Sequence, residues 1–233
     1  MADLLTLYGV AGKQKRDALL DMAREANTPG WWHKYGDVLP SWFEAYLELE
    51  AAAALIRTYE TQFLPGLLHT EDYARAVILL AHPSASTEEI ERRVGLRMAR
   101  QQLLTRPDAP RLWAVVDEAA LRRPVGDTEV MRAQIKFLIE AAKPPNVMLQ
   151  LIPHHASGHA AAGAAFTILR FPHQDLPDVV YIEQVTSALC LDKQDDVDRY
   201  AAAMNLLCVE AESPARTAEI LDRTLRDLKA PGA

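Results

Sequence analysis

The stretch "AFTILRFPHQDLPDVVYIEQVTSALCLD", residues 165–192, carries three apolar runs joined by links too short to hold a helix. Phe166, Ile168 and Phe171 are offset by polar positions, "DVVYIEQ" closes on Glu183, and "SALCLD" follows after only about three residues, a hairpin spacing. Parallel strands need a crossover of a dozen or more residues, so these runs predict neighbouring antiparallel strands. Working outward, "RLWAVV" (111–116) and "NVMLQLIP" (146–153) read as two further strands. They flank "TEVMRAQIKFLIEAA" (128–142), where Met131, Ile135, Leu138 and Ala142 share one helical face.

The ends of the chain read as helices. "GKQKRDALLDMAREAN" (12–27) has Leu19, Met22, Ala23 and Ala26 at helical spacing before the break at Pro29 and Gly30. "SWFEAYLELEAAAALIRTYE" (41–60) has no Gly or Pro and predicts one long helix. A third helix restarts at Thr70, and Ser86 with Glu89 forms a capping box for a fourth, whose far face carries Glu91, Arg92, Arg93, Arg97 and Arg100. Such a charged face is ordinarily solvated, with an anionic partner as the alternative. Near the end, Val197, Tyr200, Ala201, Met204, Leu207 and Cys208 keep a helical period, and Ser213-Pro214 caps a last helix. The expected fold is α+β: a helical N-terminal half, then a mostly antiparallel sheet of four to five strands flanked by helices. The Pro-containing bend at Thr105–Pro110 is the candidate seam between a helical part (11–106) and a sheet-bearing part (107–233).

With 233 residues, 49% apolar and 24% charged, the chain suits an ordinary globular protein with a sizeable core. No apolar run approaches the length needed to cross a bilayer, and the N-terminus lacks a signal peptide's basic start and apolar core. A cytoplasmic protein without membrane contact is expected. A net charge of −7 opposes the counterion-release term that drives nucleic-acid binding, so no direct nucleic-acid contact is expected of this chain. Cys190 and Cys208 lie within apolar runs and outside any CxxC spacing, which predicts buried, reduced thiols.

The segments "GWWHKYGDVLPSW", "YETQFLPGLLHTEDYARAV", "EIERRVGLRMARQQLL", "LWAVVDEAALRRPVG" and "PNVMLQLIP" together resemble the domain of unknown function that follows an N-terminal Xre-type helix-turn-helix in actinobacterial transcriptional regulators. The resemblance runs from about Leu4 to about Leu207. "DLLTLYGV" is similar to the tail of that helix-turn-helix, so residues 1–10 are expected to be its remnant and 11–233 a single regulatory domain. The resemblance implies a regulator of development or secondary metabolism, often paired with a small partner protein. A small partner protein or a small-molecule ligand, a homodimer and no cofactor are expected of the chain.

Chemistry must be argued from the side chains. The loop "HHASGHAAAGAAF" (154–166) gathers His154, His155 and His159. No Cys and no near carboxylate accompanies them, so a metal is not expected. A turn shaped by Gly158 and Gly163, or a flap over the sheet with His159 as its polar residue, fits better. Asp117 and Glu118 end a strand about one helical turn before Arg122 and Arg123, either as surface pairs or as a polar floor that grips a carboxylate or phosphate. Tyr181 and Glu183 alternate onto one strand face. These seven residues, Asp117, Glu118, Arg122, Arg123, His159, Tyr181 and Glu183, are the candidate ligand or partner contacts, and no catalytic residue is assigned. GxSxG, phosphate-loop and HExxH motifs are missing from the sequence. The expected function is therefore a non-catalytic sensor or partner-binding domain. The alternative is a stand-alone enzyme of secondary metabolism on the same scaffold, using an apolar pocket with His159 and Glu183. Trp31, Trp32, Trp42, Phe43 and Tyr46 read as helix-packing aromatics, or as a dimer patch.

Overall fold

The structure, a computed structural model, describes residues 2–7, 9, 12, 13, 16, 30–156, 165–173 and 176–228. It divides into two compact units, Met1–Asp37 and Val38–Ala233. In the first, α1 spans Ala2–Leu7 and a 3-10 turn spans Trp31–Tyr35, with the Trp31 and Trp32 rings edge-on at 5.7 Å. Most of the helix expected over 12–27 lies outside the described residues.

The second unit is α+β. Its elements run α2 (Ser41–Ala52), β1 (Leu55–Glu60), a 3-10 turn (Gly66–Leu68), α3 (Glu71–Ala81), α4 (Thr87–Gln101) and β2 (Arg111–Asp117). Then come α5 (Ala119–Arg122), α6 (Thr128–Ala141), β3 (Val147–Ile152), β4 (Phe166–Arg170), β5 (Val179–Glu183), β6 (Ala188–Leu191), α7 (Gln194–Glu210) and α8 (Pro214–Asp227). One six-stranded mixed sheet has the order β3-β2-β1-β4-β5-β6. β1, β2 and β3 are mutually parallel, while β4, β5 and β6 add antiparallel.

This corrects the sequence expectation at two points. The run 41–60 is not one helix: α2 stops at Ala52, Ala53 turns extended (φ −71°, ψ 141°), and Leu55–Glu60 becomes a central strand. Local alanines favour helix, but Ile56, Thr58 and Tyr59 fit a strand buried on both faces, and tertiary burial decides. The sheet is also larger and more parallel than expected. The long connections β1–α3–α4–β2 and β2–α6–β3 are crossovers, and both run the same way across the sheet, which by their right-handedness puts α3, α4 and α6 on one face. β1 precedes the Thr105–Pro110 bend and pairs with β2 after it, so that bend lies inside one sheet.

On the opposite face α7 lays Val197, Met204 and Leu207 against Val115, Ile152, Phe166, Ile168, Val180 and Ile182. Arg57 joins this layer by donating to Asn205 Oδ1 at 2.8 Å beneath the Trp113 ring. The helix caps follow the sequence: Thr70, Ser86, Asp127 and Ser213 each accept from a backbone N–H in their helix's first turn. The outer edge of β3 is closed by α8, since the Leu151 N–H donates to Thr217 Oγ1 at 3.1 Å and the Leu151 carbonyl accepts from the Glu212 N–H at 2.8 Å. The cysteines are free, and Cys190 is exposed rather than buried, because β6 is the open edge strand.

Candidate functional site

A cavity of about 510 Å³ opens on the crossover face, where β1, β4 and β5 end beneath α2, α3 and α4. That is the size of an ordinary small-molecule site. β1 brings Glu60, β5 brings Tyr181 and Glu183, and α4 brings Arg97 and Arg100. Phe43, Val77 and Ile78 supply an apolar wall.

Arg100 is the anchored one of the two guanidiniums. Its Nε and Nη2 donate to the buried Glu50 carboxylate at 2.6 and 2.8 Å, and the Tyr46 hydroxyl donates to Glu50 Oε1 at 2.7 Å. Burial opposes the charge on Arg100, but Glu50 overcomes it and raises the pKa. A fork-to-fork pair of this kind fixes the angle between α4 and α2.

Arg97, one turn earlier, is different. Among the described residues no carboxylate lies within ion-pair distance of it, and its one hydrogen-bond partner is His69 Nδ1 at 3.4 Å. The tautomer follows from chemistry: His69 Nε2 is 2.7 Å from the Leu64 carbonyl, which only accepts, so Nε2 carries the proton and Nδ1 receives from Arg97. Burial, with Arg97 beside it, holds the His69 pKa well below its ordinary value, keeping it neutral. Burial and the nearby Arg100 lower the Arg97 pKa to about 10.

The loop carrying His69 is pinned from behind. The fully buried Gln134 of α6 donates to the Leu68 carbonyl and accepts from the Thr70 N–H, both at 2.6 Å. Gly66 is small for a reason: a Cβ there would lie 3.3 Å from Arg100 Nη1 and 3.6 Å from Arg97 Nη1.

Across the cavity, burial pushes the Glu60 pKa up to about 7, with Glu183 adding to the rise and a 3.3 Å hydrogen bond from Thr58 Oγ1 opposing it. The buried Tyr181 hydroxyl sits beside Glu183, and burial with that carboxylate raises its pKa. The site thus holds a guanidinium, Arg97, and two carboxylates, Glu60 and Glu183, that act on one another from beyond ion-pair distance, with a phenol beside Glu183.

Of the six described residues among the seven candidate contacts, Tyr181 and Glu183 reach this cavity. Asp117 accepts from the Ala119 N–H at 2.7 Å and so starts α5. Glu118 accepts from Arg122 at 2.6 Å and from the His154 N–H at 2.8 Å. Glu118 and Arg122 line a second cavity, of about 560 Å³, against α8. Arg123 is exposed. His159 lies outside the described residues. Arg97 and Arg100 correct the expectation of a solvated face on α4. Spacing held the signal: Arg100 falls four residues after the buried Leu96 and three before the buried Leu103, within the inward stripe. Glu60 was read as helical, and His69 and Glu50 gave no motif. Among the described residues, no group of three or more His, Cys, Asp or Glu is arranged to hold a metal ion.

Fold and site together define an α+β domain built around one mixed sheet with a charged, part-apolar cavity at its strand ends. The chain belongs to the DUF5753 family, a domain of unknown function, which matches residues 43–223 and so spans all six strands and the cavity residues named above. No curated protein and no solved structure matches it.

Proposed function

We propose that this chain is a regulatory domain that senses a small molecule without transforming it. The observation that carries the reading is Arg97, a largely enclosed guanidinium facing the cavity with no carboxylate within ion-pair distance among the described residues. Leaving a charge so placed costs stability, and a bound anionic group offsets that cost. The resemblance to domains attached to Xre-type helix-turn-helix regulators supports coupling of this event to DNA binding elsewhere in a cytoplasmic, dimeric regulator. By that reading, ligand and small partner protein act by shifting which state of the regulator is populated.

The test is native mass spectrometry of the protein after incubation with a cell metabolite extract, beside Arg97→Met. A small molecule retained by the wild type and lost from the variant is expected. Equal retention, or none in either, overturns the reading.

An acid–base enzyme is the second reading, favoured by Glu60, whose pKa of about 7 suits a proton donor or acceptor at neutral pH. Recovery of the captured molecule in altered form, with alteration lost in Glu60→Gln, would decide for it.

A further inference from the structure

We propose that the cavity takes a zwitterion, an α-amino acid with an apolar side chain, its carboxylate on Arg97 and its ammonium between Glu60 and Glu183. This rests on the small-molecule reading above and names the ligand's chemistry.

The charges around the cavity call for both signs. Arg97 spends one N–H on His69, and its other donors find no protein acceptor among the described residues. A carboxylate matches that fork. Arg100 cannot serve in its place, being committed to Glu50.

Glu60 and Glu183 make the opposite demand. They sit near enough to repel one another, neither has an ion pair among the described residues, and both act on Arg97 from beyond salt-bridge distance. A simple organic anion would satisfy Arg97 but add a third negative charge beside these two. A simple amine would relieve the carboxylates but face Arg97. A ligand with both groups on one carbon answers both, and the Tyr181 hydroxyl, which lines the same cavity, can donate to the carboxylate or accept from the ammonium. The wall formed by Phe43, Val77 and Ile78 then takes an apolar side chain.

The experiment is calorimetric titration and thermal-shift measurement with L-phenylalanine, L-leucine, 3-phenylpropionate and phenethylamine, on the full chain. Binding of at least one amino acid is expected, with 3-phenylpropionate and phenethylamine each weaker by about tenfold or more. Arg97→Met should abolish binding, and Glu183→Gln, at an exposed strand end that tolerates change, should weaken the amino acid by about tenfold while leaving 3-phenylpropionate unweakened. If 3-phenylpropionate matches the amino acids, if Glu183→Gln leaves amino-acid binding unchanged, or if neither amino acid binds, the zwitterion assignment is overturned. In those cases Arg97-dependent retention of another molecule from the extract keeps the sensing reading standing. Absence of any such retention removes both.

Discussion

Tyr46 of α2 and Tyr181 of β5 lie face to face at the cavity's edge, ring centroids 4.1 Å apart and planes 32° from parallel, yet Tyr46 donates to the buried Glu50 while Tyr181 sits beside the exposed Glu183. Their truncations should therefore separate. Tyr46→Phe removes a donor from a buried carboxylate and should cost about 1.5–3 kcal/mol of folding stability. Tyr181→Phe removes a hydroxyl that meets only an exposed carboxylate and should leave stability nearly unchanged while weakening ligand binding. Urea denaturation of both variants, read as a shift in midpoint, checks the contrast; equal losses would contradict it.

Glu50 and Arg100 are expected to behave as one unit. Glu50→Gln leaves an enclosed guanidinium without its counter-charge and should cost about 3–5 kcal/mol. Replacing both at once, Glu50→Leu with Arg100→Met, should recover most of that loss, because two apolar side chains of similar volume leave no orphaned charge. A double-mutant cycle in denaturant measures the coupling; additive losses would mean that the two charges act independently.

Stability should respond to pH through two buried groups acting in opposite directions. Glu60 has its pKa raised from 4.5 to about 7, so between those values the folded chain holds a proton that the unfolded chain has released. Its contribution is present at low pH and is lost as pH rises through that window. His69, depressed below 6.5, contributes above that value and loses its contribution as pH falls, when the unfolded chain takes up a proton the folded one refuses. Melting temperatures of wild type and Glu60→Gln from about pH 5 to about pH 8 should diverge, the variant gaining on the wild type as pH rises. Parallel profiles would show that Glu60 titrates normally.

At the far edge of the sheet, Thr217→Val should cost about 1–3 kcal/mol, because the Leu151 N–H is left buried without an acceptor at nearly unchanged side-chain volume. Hydrogen exchange at Leu151 should quicken in the same variant. Unchanged exchange would mean that the Thr217 hydroxyl is not the protecting group.

Legibility in the sequence followed how local each signal was. β2, α6, β3, β4, β5 and the β5–β6 hairpin were readable because each has its own period and its own punctuation, and the Ser86 and Ser213 caps stand beside the N–H groups they satisfy. β1 was not, since Ala51–Ala54 carries the helix pattern up to a boundary that only strands β2 and β4 enforce. The charged cavity divides the same way. Tyr181 and Glu183 alternate visibly on one strand, but the pairing of Glu50 with Arg100 joins positions 50 residues apart. His69 acquires its meaning from Arg97 and Leu64 together. No spacing rule reaches across such distances.

The seam where Thr58 Oγ1 meets Thr167 Oγ1 at 3.0 Å joins residues 109 positions apart. Everything the cavity draws from α2, β1, α3 and α4 has left the ribosome well before β4 exists. A nascent chain ending short of Phe166 has Arg97 and Glu60 but lacks the β4 and β5 residues that line the cavity with them. Long-range pairing of this kind closes late. The cavity therefore lacks Tyr181 and Glu183 until β5 has been made, and its charged lining is assembled from segments far apart in the order of synthesis.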